Sequence, residues 1–132
     1  MDRELTAAIL VVDDEPAVVW ALAHLLRRMG HEVDTATNGR LALEKLQTRV
    51  YDLILSDLRM PECDGPALYH ELQHHHAQLC QHIVFLIGDT LGPEAQAFLE
   101  QVATPRLTTP CRAVQGQQVV QQVLRALAAE RS

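Results

Sequence analysis

Short apolar runs that alternate with amphipathic segments constrain the fold of this chain more than any other feature. Residues 7–12, 53–55 and 82–87 hold runs of this kind. Each run is too short for a core helix, and continuous apolar runs are typical of strands buried on both faces of a parallel sheet. The segments between them repeat apolar residues at three- and four-residue steps, which predicts amphipathic helices.

The chain in order predicts five strand–helix units. Strands are expected over residues 7–12, 32–36, 53–57, 82–87 and 106–109, and helices over residues 16–29, 39–48, 65–76, 93–102 and 114–129. Alternating units of this length predict an α/β fold, with helices on both faces of a parallel sheet and therefore three αβα layers. No internal repeat or long linker divides the chain, so residues 1–132 are predicted to form a single domain.

Composition excludes several classes of protein. The formal net charge is −6 and the isoelectric point about 5.5, which argues against a nucleic-acid-binding surface. No apolar run approaches the ~20 residues of a membrane span, and the start of the chain has no signal-peptide pattern, so we expect a cytoplasmic protein. The three cysteines are widely spaced and are predicted to be free thiols.

Carboxylates stand at the ends of two predicted strands. Asp13 and Asp14 follow the first strand, and Asp57 ends the third. At the same edge of one sheet these groups would repel one another unless a cation lay between them. A hard oxygen site with open positions suits Mg²⁺, and aspartate is a known nucleophile toward phosphoryl groups. The alternative for Asp13 alone is a helix N-cap.

Two motifs give the chain a family resemblance. Residues 9–14 read Ile-Leu-Val-Val-Asp-Asp, and residues 52–65 read Asp-Leu-Ile-Leu-Ser-Asp-Leu-Arg-Met-Pro-Glu-Cys-Asp-Gly. The whole chain resembles the receiver domain of two-component response regulators. Residues 85–90, together with residues 57–61, are most similar to receivers fused to hybrid histidine kinases. The resemblance implies a flavodoxin-like, doubly wound sheet with strand order 2-1-3-4-5.

The resemblance also implies a chemistry and its partners. Asp57 would accept a phosphoryl group from the histidine of a kinase or phosphotransfer protein. Asp14 would bind Mg²⁺ directly and Asp13 mainly through water, with Asp57 and the backbone carbonyl of Arg59 as further ligands. Such a domain is a phosphoacceptor and not an enzyme, a monomer or weak dimer, and possibly part of a longer kinase or regulator.

The sequence departs from the family at the positions that respond to phosphorylation. Receivers usually have Ser or Thr at the end of the fourth strand, where this chain has Ile87. They usually have Lys before the proline that follows the fifth strand, where this chain has Thr109. Arg106 replaces an aromatic residue, and Thr90 lies three residues beyond Ile87. Losing a charged and a neutral hydrogen bond would remove on the order of 3–4 kcal/mol of contacts that favour the switched state.

A charge pair at the rim of the pocket is one hypothetical compensation. Arg59 lies two residues beyond Asp57, and Asp89 lies two beyond Ile87. We expect both to overhang the pocket, where Arg59 would pair with Asp89 and replace part of the missing lysine charge. The alternative is two exposed loop charges that contribute ~0–1 kcal/mol.

Three functions remain open from the sequence. The first is a phosphate-accepting signalling module, and the second is a degenerate receiver that binds a partner without phosphate. The third, an aspartyl-phosphate phosphatase, is disfavoured because the chain lacks the DxD nucleophile motif. His70 and His74 have a spacing that can bind zinc, but the sequence favours a solvated helix end for them.

Overall fold

The structure is a computed structural model that describes residues 7–58, 62–79, 82–87, 93–102, 106–108 and 125. Strands and helices alternate along the chain in the order β1 Ala8–Val12, α1 Pro16–Arg28, β2 Glu32–Ala36, α2 Gly39–Thr48, β3 Leu53–Asp57, α3 Gly65–His75, β4 Ile83–Ile87, α4 Pro93–Gln101 and β5 Arg106–Thr108. These bounds agree with the predicted ones to within one residue. All of the predicted helix over residues 114–129 except residue 125 lies outside the described residues.

The five strands form one parallel sheet in the order β2-β1-β3-β4-β5. The predicted strand order is therefore confirmed. From β1 the chain passes to β2 on one side of that strand, and β3, β4 and β5 then follow on its other side. In open α/β sheets the crevice at such a reversal, at the carboxyl ends of the strands, is where ligands bind. Here that crevice lies between the ends of β1 and β3.

Alternate residues of the central strands face two separate cores. Ile9 and Val11 of β1 pack with Leu22 and Leu26 of α1. Leu10 and Val12 point to the opposite face, which contains Leu68 of α3 and other residues of α2, α3 and α4. These central strands are buried on both faces, which explains their continuous apolar sequences and confirms the three-layer αβα arrangement.

Two helices beside the crevice begin with side-chain caps. The Asn38 side chain accepts a hydrogen bond from the backbone N–H of Leu41 at 2.9 Å, which starts α2. The Asp64 carboxylate accepts one from the backbone N–H of Ala67 at 2.9 Å, which starts α3. A cap of this type stabilises a helix by about 1 kcal/mol. Each cap therefore sets the residue at which its helix begins.

A cluster of polar side chains joins the edge strand β2 to the residues just before β3. The Asp34 carboxylate accepts hydrogen bonds from the Tyr51 hydroxyl at 2.5 Å and from the Arg49 guanidinium at 2.6 Å. Arg49 also pairs with Glu32 at 2.8 Å. The bond from Tyr51 lowers the pKa of Asp34, while burial, with the bond to Asp34, raises the pKa of Tyr51 to about 12. Both groups therefore keep their protonation states throughout the neutral range.

Replacing Tyr51 with Phe is expected to lower the free energy of unfolding by about 1–2 kcal/mol. The change keeps the buried ring and removes the hydroxyl that Asp34 accepts from. Urea unfolding of the parent, Tyr51→Phe, Asp34→Asn and the double variant measures the coupling between the two side chains. Additive effects of the two single changes would contradict this bond.

Three further properties of the described residues bear on the sequence predictions. Within the ranges that the structure describes, no helix is both long and apolar enough to cross a bilayer. His70, His74 and His75 are exposed on α3, as predicted. Cys63 is a free thiol, as predicted. The other two cysteines, Cys80 and Cys111, lie outside the described residues.

Candidate functional site

Three carboxylates meet at the crevice between β1 and β3. One oxygen from each of Asp13, Asp14 and Asp57 lies within 4.8 Å of the others. Asp13 is buried, Asp57 is half-buried and Asp14 is exposed. Among the described residues, this is the one group of three side chains with a geometry that could hold a metal ion. The sequence prediction that these three residues come together is consistent with this arrangement.

The register of the sheet places the acids side by side. Val12 pairs with Ser56, so Asp13 and Asp57 are the next residues along two adjacent parallel strands. The backbone N–H of Asp13 donates to the carbonyl of Ala36 at 3.1 Å, which extends the pairing of β1 with β2. The backbone N–H of Leu58 donates to the Asp57 carboxylate at 2.7 Å. Backbone contacts on the two strands thus position two of the three acidic residues.

Asp13 is not the cap of α1. The N-cap residue is Glu15, whose side chain makes no capping bond, and Pro16 begins the helix. The Asp13 carboxylate instead accepts the backbone N–H of Glu15 at 2.9 Å. The alternative interpretation of Asp13 as a helix N-cap is therefore wrong. The short turn between β1 and α1 holds this carboxyl group at the sheet edge beside Asp57.

Burial and mutual repulsion make the metal-free site unfavourable for three negative charges. Burial raises the pKa of Asp13 to about 7, with Asp57, Asp14 and Glu15 adding repulsion, while the bond from the Glu15 N–H opposes the rise. A divalent cation would relieve both the desolvation and the repulsion. An all-oxygen donor set with one exposed member suits Mg²⁺, which retains several waters. The residues present therefore fit a magnesium ion.

The start of α3 packs directly against the end of β3 at Asp57. The backbone N–H of Gly65 donates to the carbonyl of Leu58 at 3.0 Å. A Cβ atom at Gly65 would lie 2.7 Å from the carbonyl oxygen of Asp57 and 2.9 Å from the Cα atom of Leu58. Both neighbours are backbone atoms, so neither can move without shifting the strand end that carries Asp57. Close approach of two backbone segments thus requires glycine at this position.

Replacing Gly65 with Ala is expected to destabilise the domain by about 1–3 kcal/mol, since the added methyl group overlaps the backbone of the β3 end. Thermal or urea unfolding measures the loss. Ala67→Gly, at an exposed position of the same helix, is a control for helix propensity alone and should lower stability by at most about 1 kcal/mol. Equal stability of Gly65→Ala and the parent would contradict the close approach.

The structure locates some of the remaining predicted site residues. Ile87 is the last residue of β4, and Arg106 is the first residue of β5, in the positions expected from the sequence. Thr109, Thr90, Asp89 and Arg59 lie outside the described residues. The proposed pairing of Arg59 with Asp89 therefore stays a prediction.

Sequence reasoning missed the contacts that α2 makes with residues 62 and 63. Arg40 of α2 pairs with Glu62 at 2.7 Å, and Glu62 has a positive φ of 68°. The backbone N–H of Gly39 donates to the carbonyl of Cys63 at 2.9 Å. These contacts join α2 to the loop across 22 or more residues of sequence, so no local pattern predicts them.

Comparisons with known proteins agree with this geometry. A family model described as the response regulator receiver domain matches residues 9–121. The transcriptional regulatory protein GlrR of Escherichia coli (strain K12) is 36% identical over 104 residues, which cover 79% of this chain and 23% of GlrR.

Solved structures are similar over most of the chain. The signal receiver domain of a signal transduction histidine kinase from Syntrophus aciditrophicus superposes with a TM-score of 0.81 at 32% identity, covering 92% of both chains. NtrX from Brucella abortus superposes with a TM-score of 0.85 at 28% identity, covering 96% of this chain and 29% of NtrX. The chain thus spans less than a third of GlrR and of NtrX, and it matches the histidine kinase receiver nearly end to end. From its sequence motifs, strand order and matched relatives, this chain belongs to the response regulator receiver domain family.

Proposed function

We propose that this domain accepts a phosphoryl group on the Asp57 carboxylate, in the presence of Mg²⁺, from a phosphohistidine of a histidine kinase or phosphotransfer protein. One observation carries the proposal: the oxygens of Asp57, Asp13 and Asp14 converge at the point where the strand order reverses. Membership of the receiver family supports the same role.

The chain's own residues would divide the work between attack and metal binding. An oxygen of Asp57 forms the new bond to phosphorus while the phosphorus–nitrogen bond breaks and the imidazole leaves with its electron pair. The Leu58 N–H, 2.7 Å from Asp57 Oδ1, helps to orient the carboxylate that attacks. Asp14 and Asp57 would bind Mg²⁺ directly, Asp13 through water, and Arg59 through its backbone carbonyl. Bound Mg²⁺ would supply charge neutralisation for the phosphoryl oxygens.

Incubation of the purified domain with acetyl phosphate and Mg²⁺, read by intact mass, tests this function. We expect the mass of one phosphoryl group on the parent, its absence from Asp57→Asn, and its absence from the parent when a chelator removes the metal. An unmodified parent that still binds Mg²⁺ by calorimetry would overturn the proposal.

A second candidate is a receiver that binds its partner without needing phosphate. The observation that favours it is Ile87 at the end of β4, because an isoleucine side chain has no hydrogen-bonding group for a phosphoryl oxygen. Without a hydrogen bond from a Ser or Thr at this position, and without the lysine that Thr109 replaces, switching would weaken by on the order of 3–4 kcal/mol, or a hundredfold or more in the equilibrium. Partner affinity that is equal for the parent and for Asp57→Asn, with and without acetyl phosphate, would support this second function.

The relatives suggest the setting in which the domain works. GlrR is a transcriptional regulatory protein, and the receiver from Syntrophus belongs to a histidine kinase. We propose that this chain relays a signal in the cytoplasm, alone or as a module of a longer kinase or regulator.

A further inference from the structure

The last two turns of α3 carry two imidazole rings in edge-to-face contact, away from the acidic site. His70 and His74 are both exposed, and their ring centroids lie 4.6 Å apart. Residues four apart on a helix lie on the same face, one turn above the other. The two rings are therefore held next to each other by the backbone, and little ordering is needed to bring both to one ligand.

The chemistry of this pair differs from that of the carboxylate site. Imidazole nitrogen is a preferred ligand of Zn²⁺, Cu²⁺ and Ni²⁺, whereas Mg²⁺ prefers oxygen. Residues 70–74 read His-Glu-Leu-Gln-His, the H-E-x-x-H spacing that directs two histidines of one helix to a single zinc ion. The sequence, the helix and the ring separation all point to a metal ion that favours nitrogen.

The surroundings of His70 and His74 favour metal binding and not catalysis. In the part of the chain that the structure describes, no third His, Cys, Asp or Glu joins this pair within metal-binding distance. Both side chains lie on an exposed surface of α3. The neighbouring His75 is directed to Glu71 instead, with its Nε2 atom 3.6 Å from the carboxylate. The spacing therefore carries no hydrolase activity here, and water would complete the coordination sphere.

We propose that His70 and His74 form a two-histidine site for a divalent transition-metal ion, Zn²⁺ in particular. Each ring contributes one nitrogen, and the ion bridges two successive turns of α3. The bridge requires the helical backbone, so metal binding stabilises the C-terminal half of α3. This inference does not depend on phosphoryl acceptance, because it uses neither the residues nor the metal of the acidic site.

Calorimetric titration with Zn²⁺ in excess Mg²⁺, which keeps the carboxylates occupied, measures the affinity directly. We expect binding in the parent, and a loss of tenfold or more in each of His70→Gln and His74→Gln. His24→Gln, at an exposed position on α1, and His75→Gln are matched controls that should change the affinity by less than about twofold. Lowering the pH should weaken binding, because protons compete for the ring nitrogens.

Nuclear magnetic resonance places the ion independently of affinity. Substoichiometric Cu²⁺ or Ni²⁺ should broaden the ring resonances of His70 and His74 before those of the other five histidines. Zn²⁺ should raise the midpoint of thermal unfolding by a few degrees in the parent and not in the double variant. The proposal is overturned if His24→Gln weakens Zn²⁺ binding as much as His70→Gln does, or if the double variant binds Zn²⁺ like the parent.

Discussion

Replacing Asp13 with Asn is expected to make the metal-free domain more stable than the parent above about pH 7, by on the order of 2–4 kcal/mol. The parent must keep a buried carboxylate beside Asp57 and Asp14, and burial together with this repulsion raises the pKa of Asp13 to about 7. The amide of the variant has nearly the same shape and no charge. It can still accept the hydrogen bond that the Glu15 N–H gives to Asp13.

The sign of the pH dependence follows from the two protonation states. Unfolded aspartate has a pKa of about 3.9, whereas Asp13 in the folded domain has a pKa of about 7. The unfolded chain therefore loses its proton first as the pH rises, and the folded state loses stability between these two values. The contribution of Asp13 is fully present below about pH 4 and is gone above about pH 7. Asp13→Asn should remove this decline.

Urea unfolding between about pH 5 and pH 8, with and without Mg²⁺, measures the effect. Mg²⁺ at about 100 times its dissociation constant should add about 2.7 kcal/mol to the parent above pH 7, and much less to the variant. His31, a buried histidine whose pKa is lowered by burial, destabilises the parent and the variant equally as the pH falls. The difference between the two proteins therefore isolates Asp13. Identical pH profiles for both would contradict the raised pKa.

The sheet and the acidic site were predictable from the sequence because both rest on short-range patterns. Continuous apolar runs identify strands buried on both faces, and alternation with helices makes those strands parallel. The carboxyl ends of parallel strands share one edge of a sheet, so Asp13 and Asp57 had to lie at the same edge once the fold class was known. The resemblance to the receiver family, carried by the motifs around these residues, then implied the strand order that the structure confirms.

The supporting contacts were not predictable because they join residues far apart in sequence. Asp34 bonds to Tyr51 across 17 positions, and nothing in the sequence around either residue marks the other as its partner. The requirement for glycine at residue 65 arises only when the start of α3 packs against the backbone of Asp57. The cap at Asp64 is different, since an Asp before Gly-Pro at the start of a helix is a local signal that sequence reasoning could have used.

Replacing Asp14 with Asn is expected to slow phosphorylation of Asp57 by acetyl phosphate by on the order of a hundredfold or more. Asp14 is the exposed member of the carboxylate group, so it can bind an incoming cation with little cost in desolvation. Loss of this charge weakens Mg²⁺ binding, and without the ion the carboxylate of Asp57 faces an anionic phosphoryl donor with Asp13 still beside it. The fold should be unaffected, because an exposed Asp→Asn change has little effect on stability.

Glu15→Gln is the matched control for this experiment. It removes one negative charge from the next residue of the same exposed turn, but Glu15 lies outside the group of three carboxylates. Its backbone N–H still donates to Asp13, so the geometry of the turn is retained.

Rates measured by intact mass at several Mg²⁺ concentrations should fall for Asp14→Asn, with part of the loss recovered at high Mg²⁺. They should stay within about threefold of the parent for Glu15→Gln, since an exposed charge acts weakly through water. Equal losses in both variants would mean that net charge near Asp57, and not metal binding by Asp14, controls the reaction.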